Sequence, residues 1–281
     1  VTYDKPFAPA LMSWGSAILP RHLLENTDIR KSPLSRNPVG TGPYRLKEWK
    51  TGQKIVLVSN PDYFEGRPYI DGYVMRVIPD TATMFLELRA EGIDRMNLNP
   101  LQYTRQTENN IFRRNFNKYR YMSFSYTYLG YNLLNPLFAD KRVRQAIAYA
   151  VNKEEIIQGV LIGLGKEATG PYKPGSWAHN PHVKTYAYNP QKARDLLAEA
   201  GWKDSDKDGV LEKDGRKFVF EIITNQGNDV RAKCAEIIQR RLAEVGIKAK
   251  IRVLEWAAFV KDFINKRSFD AALLGWSIPL D

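Results

Sequence analysis

The sequence has a single cysteine, Cys234, among its 281 residues. One thiol excludes an internal disulfide and any metal site that is built from several cysteines. Cys234 falls on the apolar face of a predicted helix, which favours a buried packing role over a reactive one. The cysteine count therefore does not assign the protein to an oxidising or a reducing compartment.

Long apolar runs are also absent. The sequence has no stretch of about 18 apolar residues, so no segment is predicted to span a membrane. Hydrophobic residues make up 43% of the chain and charged residues 26%, close to the average of soluble globular proteins. The composition thus predicts a folded chain with a sizeable core, in one large domain or two of ordinary size.

Signatures of catalysis are scarce. The sequence has no G-x-S-x-G motif and no zinc-binding helix motif. The glycine-rich stretch VGTGPYR precedes a predicted strand, whereas a phosphate-binding loop needs the N-terminus of a helix. We therefore expect a protein that is not an enzyme and that needs no cofactor.

The net charge of +11 raises the possibility of a nucleic-acid partner. The densest basic cluster is FRRNFNKYRY, Phe112 to Tyr121, and no known nucleic-acid-binding motif surrounds it. Elsewhere lysine and arginine are scattered among acidic residues. This distribution favours a solvated basic surface over a nucleic-acid-binding protein, which stays as an alternative.

An acidic stretch, DSDKDGVLEKDG, resembles a calcium-binding loop in part. Asp204, Asp206 and Asp208 occupy alternate positions, but Gly215 stands at the twelfth position, where such a loop needs a bidentate glutamate. A polar turn between a helix and a strand is the favoured interpretation, and the three aspartates stay as a weak calcium-site candidate.

Periodicity predicts mixed α/β structure in the first half of the chain. A hairpin is expected at 44–49 and 54–59, because Gly52 in the intervening segment suits a turn. A strand at 73–78 and a helix at 81–92 follow, and then a short strand at 93–98.

The second half has clearer helix and strand signals. Asp140, Asn152 and Asn189 each precede a segment with helical apolar spacing, as N-cap residues do, and a further helix is expected from Asn228 to Val245. From 218 to the C-terminus the pattern is strand, helix, strand, helix, strand, which predicts a parallel sheet with right-handed crossovers.

The aromatic residues suggest where a ligand binds. Trp276 ends the last predicted strand, and ligands of open α/β sheets bind beyond the carboxyl ends of strands. Trp177 lies in a loop rich in proline and glycine, where a large aromatic face could line a cleft. Trp202 and Trp256 flank predicted helices and are expected to be packing residues.

Several stretches of the sequence, in this order, resemble the extracytoplasmic solute-binding proteins of family 5, the dipeptide, oligopeptide and nickel receptors of ABC importers. They are NPVGTGPYRLKEWKTGQKIVLVSNPDYFEGRPYIDGYVMRVIPD, FADKRVRQAIAYAVNKEEIIQGVLIGLGKEATGPYKPG, YNPQKARDLLAEAGW and FDAALLGWSIPLD. The resemblance covers nearly the whole chain, and members of the family are longer at both ends. We therefore expect a chain that is truncated at both ends.

The resemblance implies the α/β fold of the type II periplasmic binding proteins, in which two lobes enclose the ligand. Residues 1–123 would belong to the first lobe, 124–132 to a crossing strand, and 133–281 to the second lobe, truncated at its C-terminal end. The fold would thus be incomplete in this chain.

The resemblance also implies a set of ligand-binding residues. In peptide-binding members an acid three residues after the strand-end tryptophan holds the peptide's amino group, and that position here is Pro279. Nickel-type members have a tyrosine where this chain has Leu280. The resemblance supplies the candidates Trp276, Ser277 and Asp281. The expected crossing strand adds Tyr126, Tyr128, Tyr131 and Asn132, and the loop tryptophan Trp177 completes the set.

The function implied by the resemblance is that of a receptor that delivers a peptide to an ABC importer by lobe closure. The expected partners are a peptide or another small solute and a membrane-embedded permease, with no nucleic acid. The full-length protein is expected to be a monomer that works outside the cytoplasmic membrane, in the periplasm or anchored to the outer face. A nickel chelate, an oligosaccharide or another small solute is the alternative ligand.

Overall fold

The computed structural model describes residues 3–7, 9–15 and 17–278. The chain divides into two compact units, residues 1–86 and residues 87–280. No helix among the described residues combines the length and the apolar composition that a membrane crossing requires.

The first unit is built around a three-stranded antiparallel sheet. Its strands are β1 (Tyr44–Lys50), β2 (Lys54–Ser59) and β3 (Gly72–Arg76), paired in that order. Gly52, with φ of 71°, lies in the turn between β1 and β2, so the predicted hairpin is confirmed. Short helices precede the sheet: α1 (Ala10–Ser13), α2 (Arg21–Leu24) and 3₁₀ turns at Ile29–Lys31 and Pro33–Ser35.

The helix α3 (Thr81–Arg89) follows β3 and confirms the predicted helix. The strand predicted at 93–98 is wrong, because this segment has an extended or bent backbone without ladder partners. A segment of alternating polar and apolar residues becomes a strand only where a neighbouring strand offers hydrogen bonds to it.

The second unit contains the helices and strands that position the candidate site. They are a π-helical turn (Gln102–Gln106), α4 (Asn110–Asn115), β4 (Ser125–Tyr131), a 3₁₀ turn (Pro136–Phe138), α5 (Lys141–Ala150), α6 (Lys153–Gly159), α7 (Pro190–Glu199), the hairpin β5 (Glu212–Lys213) and β6 (Arg216–Lys217), β7 (Val219–Asn225), α8 (Asp229–Ala243), β8 (Lys248–Leu254), α9 (Trp256–Ala258), which continues as a π-helical segment (Phe259–Ile264), and β9 (Ala271–Ser277).

The three predicted N-cap residues are confirmed, and Asn228, predicted as the start of a helix, also caps one. The side chain of Asp140 accepts a hydrogen bond from the Arg142 backbone N–H at 2.8 Å. The asparagine side chains that cap α6, α7 and α8 each accept a hydrogen bond from the backbone N–H of the residue three positions further along the chain. Each cap satisfies one backbone donor that the first helical turn leaves open, so local sequence fixes where these helices begin.

Four strands of the second unit form one mixed sheet in the order β4-β9-β7-β8, and β5 and β6 pair separately as a hairpin. β7 runs parallel to β8 and β9, as predicted, and β4 runs antiparallel to β9. A large apolar core on one face joins the sheet to α5, α7 and α8, with members such as Ile147, Leu197 and Ile238. A smaller cluster around Phe259 covers the other face, which explains why β7 and β9 are apolar on both sides.

Candidate ligand-binding site

A cavity of about 890 Å³ lies in the second unit, where β9 ends and β4 begins. Ligand sites of open α/β sheets lie beyond the carboxyl ends of the parallel strands, and β9 ends at this cavity. The first turn of α8, helices α5 and α6 and the segment from Leu161 to Pro174 contribute the other walls.

The pairing of β4 with β9 brings the aromatic residues of the cavity together. Tyr126 lies directly opposite Trp276, and Ser125 lies opposite Ser277. The Trp276 side chain is 58% exposed and lines the cavity. An exposed indole in a cavity wall is free to stack on a ligand, because packing of the core does not use its faces.

Tyr128 lines the same cavity. Burial raises the pKa of its hydroxyl, and a hydrogen bond from Trp276 partly offsets that effect. The hydroxyl therefore stays protonated at neutral pH and can donate a hydrogen bond to a ligand oxygen.

Arg231 is a cavity residue whose charged side chain is only partly satisfied. Its Nη1 donates to Asn225 Oδ1 at 2.6 Å. Its Nε is buried and has no hydrogen-bond partner in the described part of the chain. Burial lowers the pKa of the Arg231 guanidinium. Water therefore solvates this cation only in part.

Gly275 allows the Arg231 side chain to cross β9. A Cβ atom at Gly275 would lie 2.8 Å from Arg231 Nη2 and 2.9 Å from the Tyr126 carbonyl oxygen. Any larger residue would have to displace the guanidinium or the strand. The glycine in the sequence LLGWS is therefore required for the placement of the arginine.

The inner wall of the cavity is apolar. Ile147, Ile238 and Leu273 are almost completely buried and line it. Cys234 lines it as well, is 6% exposed, and has a thiol pKa raised to about 11 by burial. The predicted packing role of Cys234 is confirmed, and the thiol is almost wholly protonated at neutral pH. The cavity thus combines an apolar interior with aromatic and cationic groups.

The structure brings five of the predicted site residues to the cavity. The five are Tyr126, Tyr128, Tyr131, Trp276 and Ser277. Tyr131 packs on Phe138 with ring centroids 5.0 Å apart, and burial strongly raises the pKa of its hydroxyl. Its ring is thus largely part of the core.

Asn132 and Trp177 do not belong to the cavity lining. The Asn132 amide donates to the carbonyl oxygens of Arg267 and Phe269, at 2.9 and 2.8 Å. Its side chain therefore joins the end of β4 to the segment before β9. Trp177 is 87% exposed. Asp281 lies outside the described residues.

Arg231 was not among the residues predicted from sequence, although the sequence carried a signal for it. The buried stripe of α8 contains Cys234, Ala235, Ile238 and Leu242. Arg231 precedes Cys234 by three positions and Ala235 by four, so it continues this stripe. A charged residue on an apolar stripe needs a partner, and here the described protein groups supply only one side-chain acceptor, from Asn225.

The acidic loop lies apart from the cavity lining. The carboxylates of Asp204, Asp206 and Asp208 come within 4.8 Å of one another. The Lys217 ammonium donates to both Asp206 and Asp208, and all three aspartates are exposed. An ammonium group already neutralises part of the cluster, which supports the polar turn over a calcium site.

Comparison with known proteins is consistent with this architecture. The family model described as "Bacterial extracellular solute-binding proteins, family 5 Middle" matches residues 1–280. The oligopeptide-binding protein AppA of Bacillus subtilis is 42% identical over 270 residues, which cover 94% of this chain and 49% of that protein.

Two solved structures are similar over almost the whole chain. The structure of Bacillus subtilis AppA in complex with a nonapeptide gives a TM-score of 0.82, with 94% of this chain and 53% of that chain covered. The structure of NikZ from Campylobacter jejuni in complex with Ni(L-His) gives 0.90 at 32% identity, with 100% of this chain and 55% of that chain covered. The chain thus spans about half the length of these proteins.

Proposed function

The chain belongs to family 5 of the bacterial extracellular solute-binding proteins, and from this premise we propose that it is a non-catalytic receptor for peptides. In this proposal the cavity beside β9 binds the peptide outside the cytoplasmic membrane, and the full-length protein presents it to the permease of an ABC importer. The proposal agrees with the 42% identity to an oligopeptide-binding protein.

The state of Arg231 is the observation that carries the proposal. A half-buried guanidinium loses part of its hydration, and no carboxylate among the described residues forms an ion pair with it. A ligand carboxylate would supply the missing partner through charge-assisted hydrogen bonds. Every linear peptide with a free C-terminus brings such a carboxylate.

The other walls suit the remainder of a peptide. Trp276 and Tyr126 offer aromatic faces, and the Tyr128 hydroxyl offers a hydrogen bond. The apolar inner wall around Cys234 accepts a side chain, and waters fill the space that a smaller side chain leaves. We assign Trp276, Tyr126, Tyr128 and Ser277 to ligand binding on this basis.

Lobe closure is the proposed mechanism of the full-length protein. A ligand that contacts both lobes of the family fold stabilises the closed form relative to the open form by its extra contacts. The lobe boundaries expected from the resemblance, 1–123, 124–132 and 133–281, remain predictions. Within the described chain, β4 belongs to the same sheet as β7, β8 and β9.

A nickel chelate is the second candidate ligand. The NikZ complex with Ni(L-His) superposes on the whole of this chain with a TM-score of 0.90. The carboxylate of a chelating amino acid would accept hydrogen bonds from the Arg231 guanidinium, just as the C-terminal carboxylate of a peptide would. The protein would then bind the metal through its organic ligand.

Calorimetry with the purified chain distinguishes the two candidates. Peptides of two to five residues and a nickel–histidine complex are titrated separately into the wild type and into Arg231→Gln. We expect heat with peptides, and an affinity about tenfold to a hundredfold lower in the variant, as for loss of a hydrogen bond to a charged group.

Arg216→Gln serves as the control, because Arg216 is exposed on β6 and lies outside the cavity lining. Its affinity for peptides should equal that of the wild type. Heat with the chelate and none with any peptide would reject the peptide as the ligand.

A further inference from the structure

The charged residues that line the cavity are of nearly one sign. They are Arg120, Lys153, Lys166, Glu167, Lys173 and Arg231. Lys153 forms an ion pair with Glu167, the single carboxylate of this set. The other cations have no ion pair with any described residue, so the wall carries an uncompensated positive charge.

Of the basic cluster Phe112 to Tyr121, one cation lines the cavity and two form ion pairs elsewhere. Arg113 and Lys118 both pair with Glu108, which offsets part of their charge. Arg120, two residues after Lys118, instead reaches the cavity lining, where it has no acidic partner among the described residues. Only the end of the cluster thus contributes to the potential in the cavity.

Lys173 is positioned by an aromatic ring in the cavity wall. Its ammonium lies 4.4 Å from the ring centroid of Phe124, and both residues line the cavity. A cation over an aromatic face keeps its hydrogen-bond donors available for an anion. Lys166 belongs to the same segment between α6 and α7. These cations come from three separate parts of the chain and converge on one space.

We propose, building on the peptide-receptor function above, that the cavity selects acidic peptides. In this arrangement Arg231 binds one carboxylate, and side-chain carboxylates of the peptide lie against Lys166, Lys173 and Arg120. A concave wall of one sign concentrates ligands of the opposite sign and disfavours cationic ones. Peptides without acidic side chains keep the Arg231 contact and the aromatic contacts but gain nothing from the other cations.

The proposal is tested with three tripeptides of alanine that carry glutamate, glutamine or lysine at the middle position. Calorimetry on the wild-type chain should give affinities in the order glutamate, glutamine, lysine, with about a threefold to fivefold step for each change. The advantage of the glutamate peptide should fall as sodium chloride rises from about 0.05 to 0.5 M, because salt screens exposed charges.

Substitutions of lining lysines test whether the preference for the glutamate peptide arises in the cavity. Lys173→Gln and Lys166→Gln should each reduce the advantage of the glutamate peptide over the glutamine peptide. Lys250→Gln is the matched control, since Lys250 is exposed on β8 and is not part of the lining. Its preference should equal that of the wild type.

The outcomes separate this inference from the function on which it rests. Equal affinities for the glutamate and glutamine peptides, or tighter binding of the lysine peptide, would overturn the selectivity and leave the peptide receptor intact. Failure of all three peptides to bind would overturn the peptide receptor and the selectivity with it.

Discussion

The surroundings of Trp276 are the reason for proposing that this side chain contacts the ligand. It ends β9, faces the cavity and is 58% exposed, although a tryptophan gains most free energy when it is buried. Trp256 has a similar exposure of 53%, but it stacks on Phe259 at 5.9 Å and is not part of the cavity lining. The expected packing role of Trp256 is therefore met only in part.

We predict that Trp276→Ala weakens peptide binding about tenfold or more, as loss of a buried aromatic anchor does at binding sites. The melting temperature should hardly change, because the side chain is not part of either apolar core. Trp256→Ala is the matched control and should bind peptide as the wild type does. Unchanged calorimetric affinity of Trp276→Ala would remove the indole from the site.

The sequence points to Trp276 because the end of an apolar strand is a general ligand position, and the structure places it in the cavity lining. Arg231 was not found, since its significance depends on Gly275 and on the lack of an acidic partner, and both are facts of tertiary structure. Asn132 follows the aromatic strand β4 in the sequence, which made it a candidate. Its side-chain amide instead donates hydrogen bonds to backbone carbonyl oxygens of the segment before β9.

Helices α6 and α8 are joined by an ion-pair cluster that neither helix could form alone. Glu155, in the first turn of α6, accepts hydrogen bonds from Arg241 Nε at 2.6 Å and from Arg240. The Arg241 bond is the largest cause of the lowered pKa of the Glu155 carboxyl, and burial opposes it. Since both helices contribute lining residues, this cluster supports the walls of the cavity.

The lowered pKa of Glu155 gives a pH dependence with a definite sign. A carboxyl whose pKa is lower in the folded state stabilises the fold above its unfolded pKa, near 4.5, and this contribution is lost as the pH falls through the folded pKa. We predict that Glu155→Gln lowers the free energy of unfolding by about 1 kcal/mol near neutral pH. Below about pH 4 the difference from the wild type should shrink.

Urea denaturation at several pH values measures this difference. Glu154→Gln is the control, because the neighbouring Glu154 is exposed and bonds only to Gln158 among the described side chains. Its effect should be smaller and should not follow the same pH course. A loss of stability in Glu155→Gln that is constant from pH 3 to 7 would contradict the assignment to the ion pairs.

Elements with strong local signals were predictable, and elements that depend on distant partners were not. The caps Asp140, Asn152, Asn189 and Asn228 fixed the starts of four helices. The parallel pairing of β7 and β9 followed from the alternation of strands and helices. The antiparallel addition of β4 beside β9 has no local signal, because its partner lies more than 130 residues away in the chain.

The two compact units differ in how much core they contain. In the second unit more than twenty buried residues form one apolar cluster. The buried residues described in the first unit are Ser32, Asn60 and Phe85. Regions with few buried apolar contacts open more readily, so the two units should differ in local stability.

Hydrogen exchange followed by mass spectrometry tests this difference. We predict that backbone amides of β1, β2 and β3 exchange at least about tenfold faster than those of β7 and β9. The comparison is internal, because all of these strands have ladder hydrogen bonds. Equal protection in the two sheets would show that the first unit is stabilised by contacts that its described residues do not reveal.

The central claim is that this chain recognises a peptide through a carboxylate bound by Arg231. The most direct test is calorimetry on the wild-type chain with one peptide in two forms, with a free C-terminal carboxylate and with a C-terminal amide. We predict that the amide binds about tenfold or more weakly, because the guanidinium then lacks its charged partner. Equal affinity for the two forms would contradict the account.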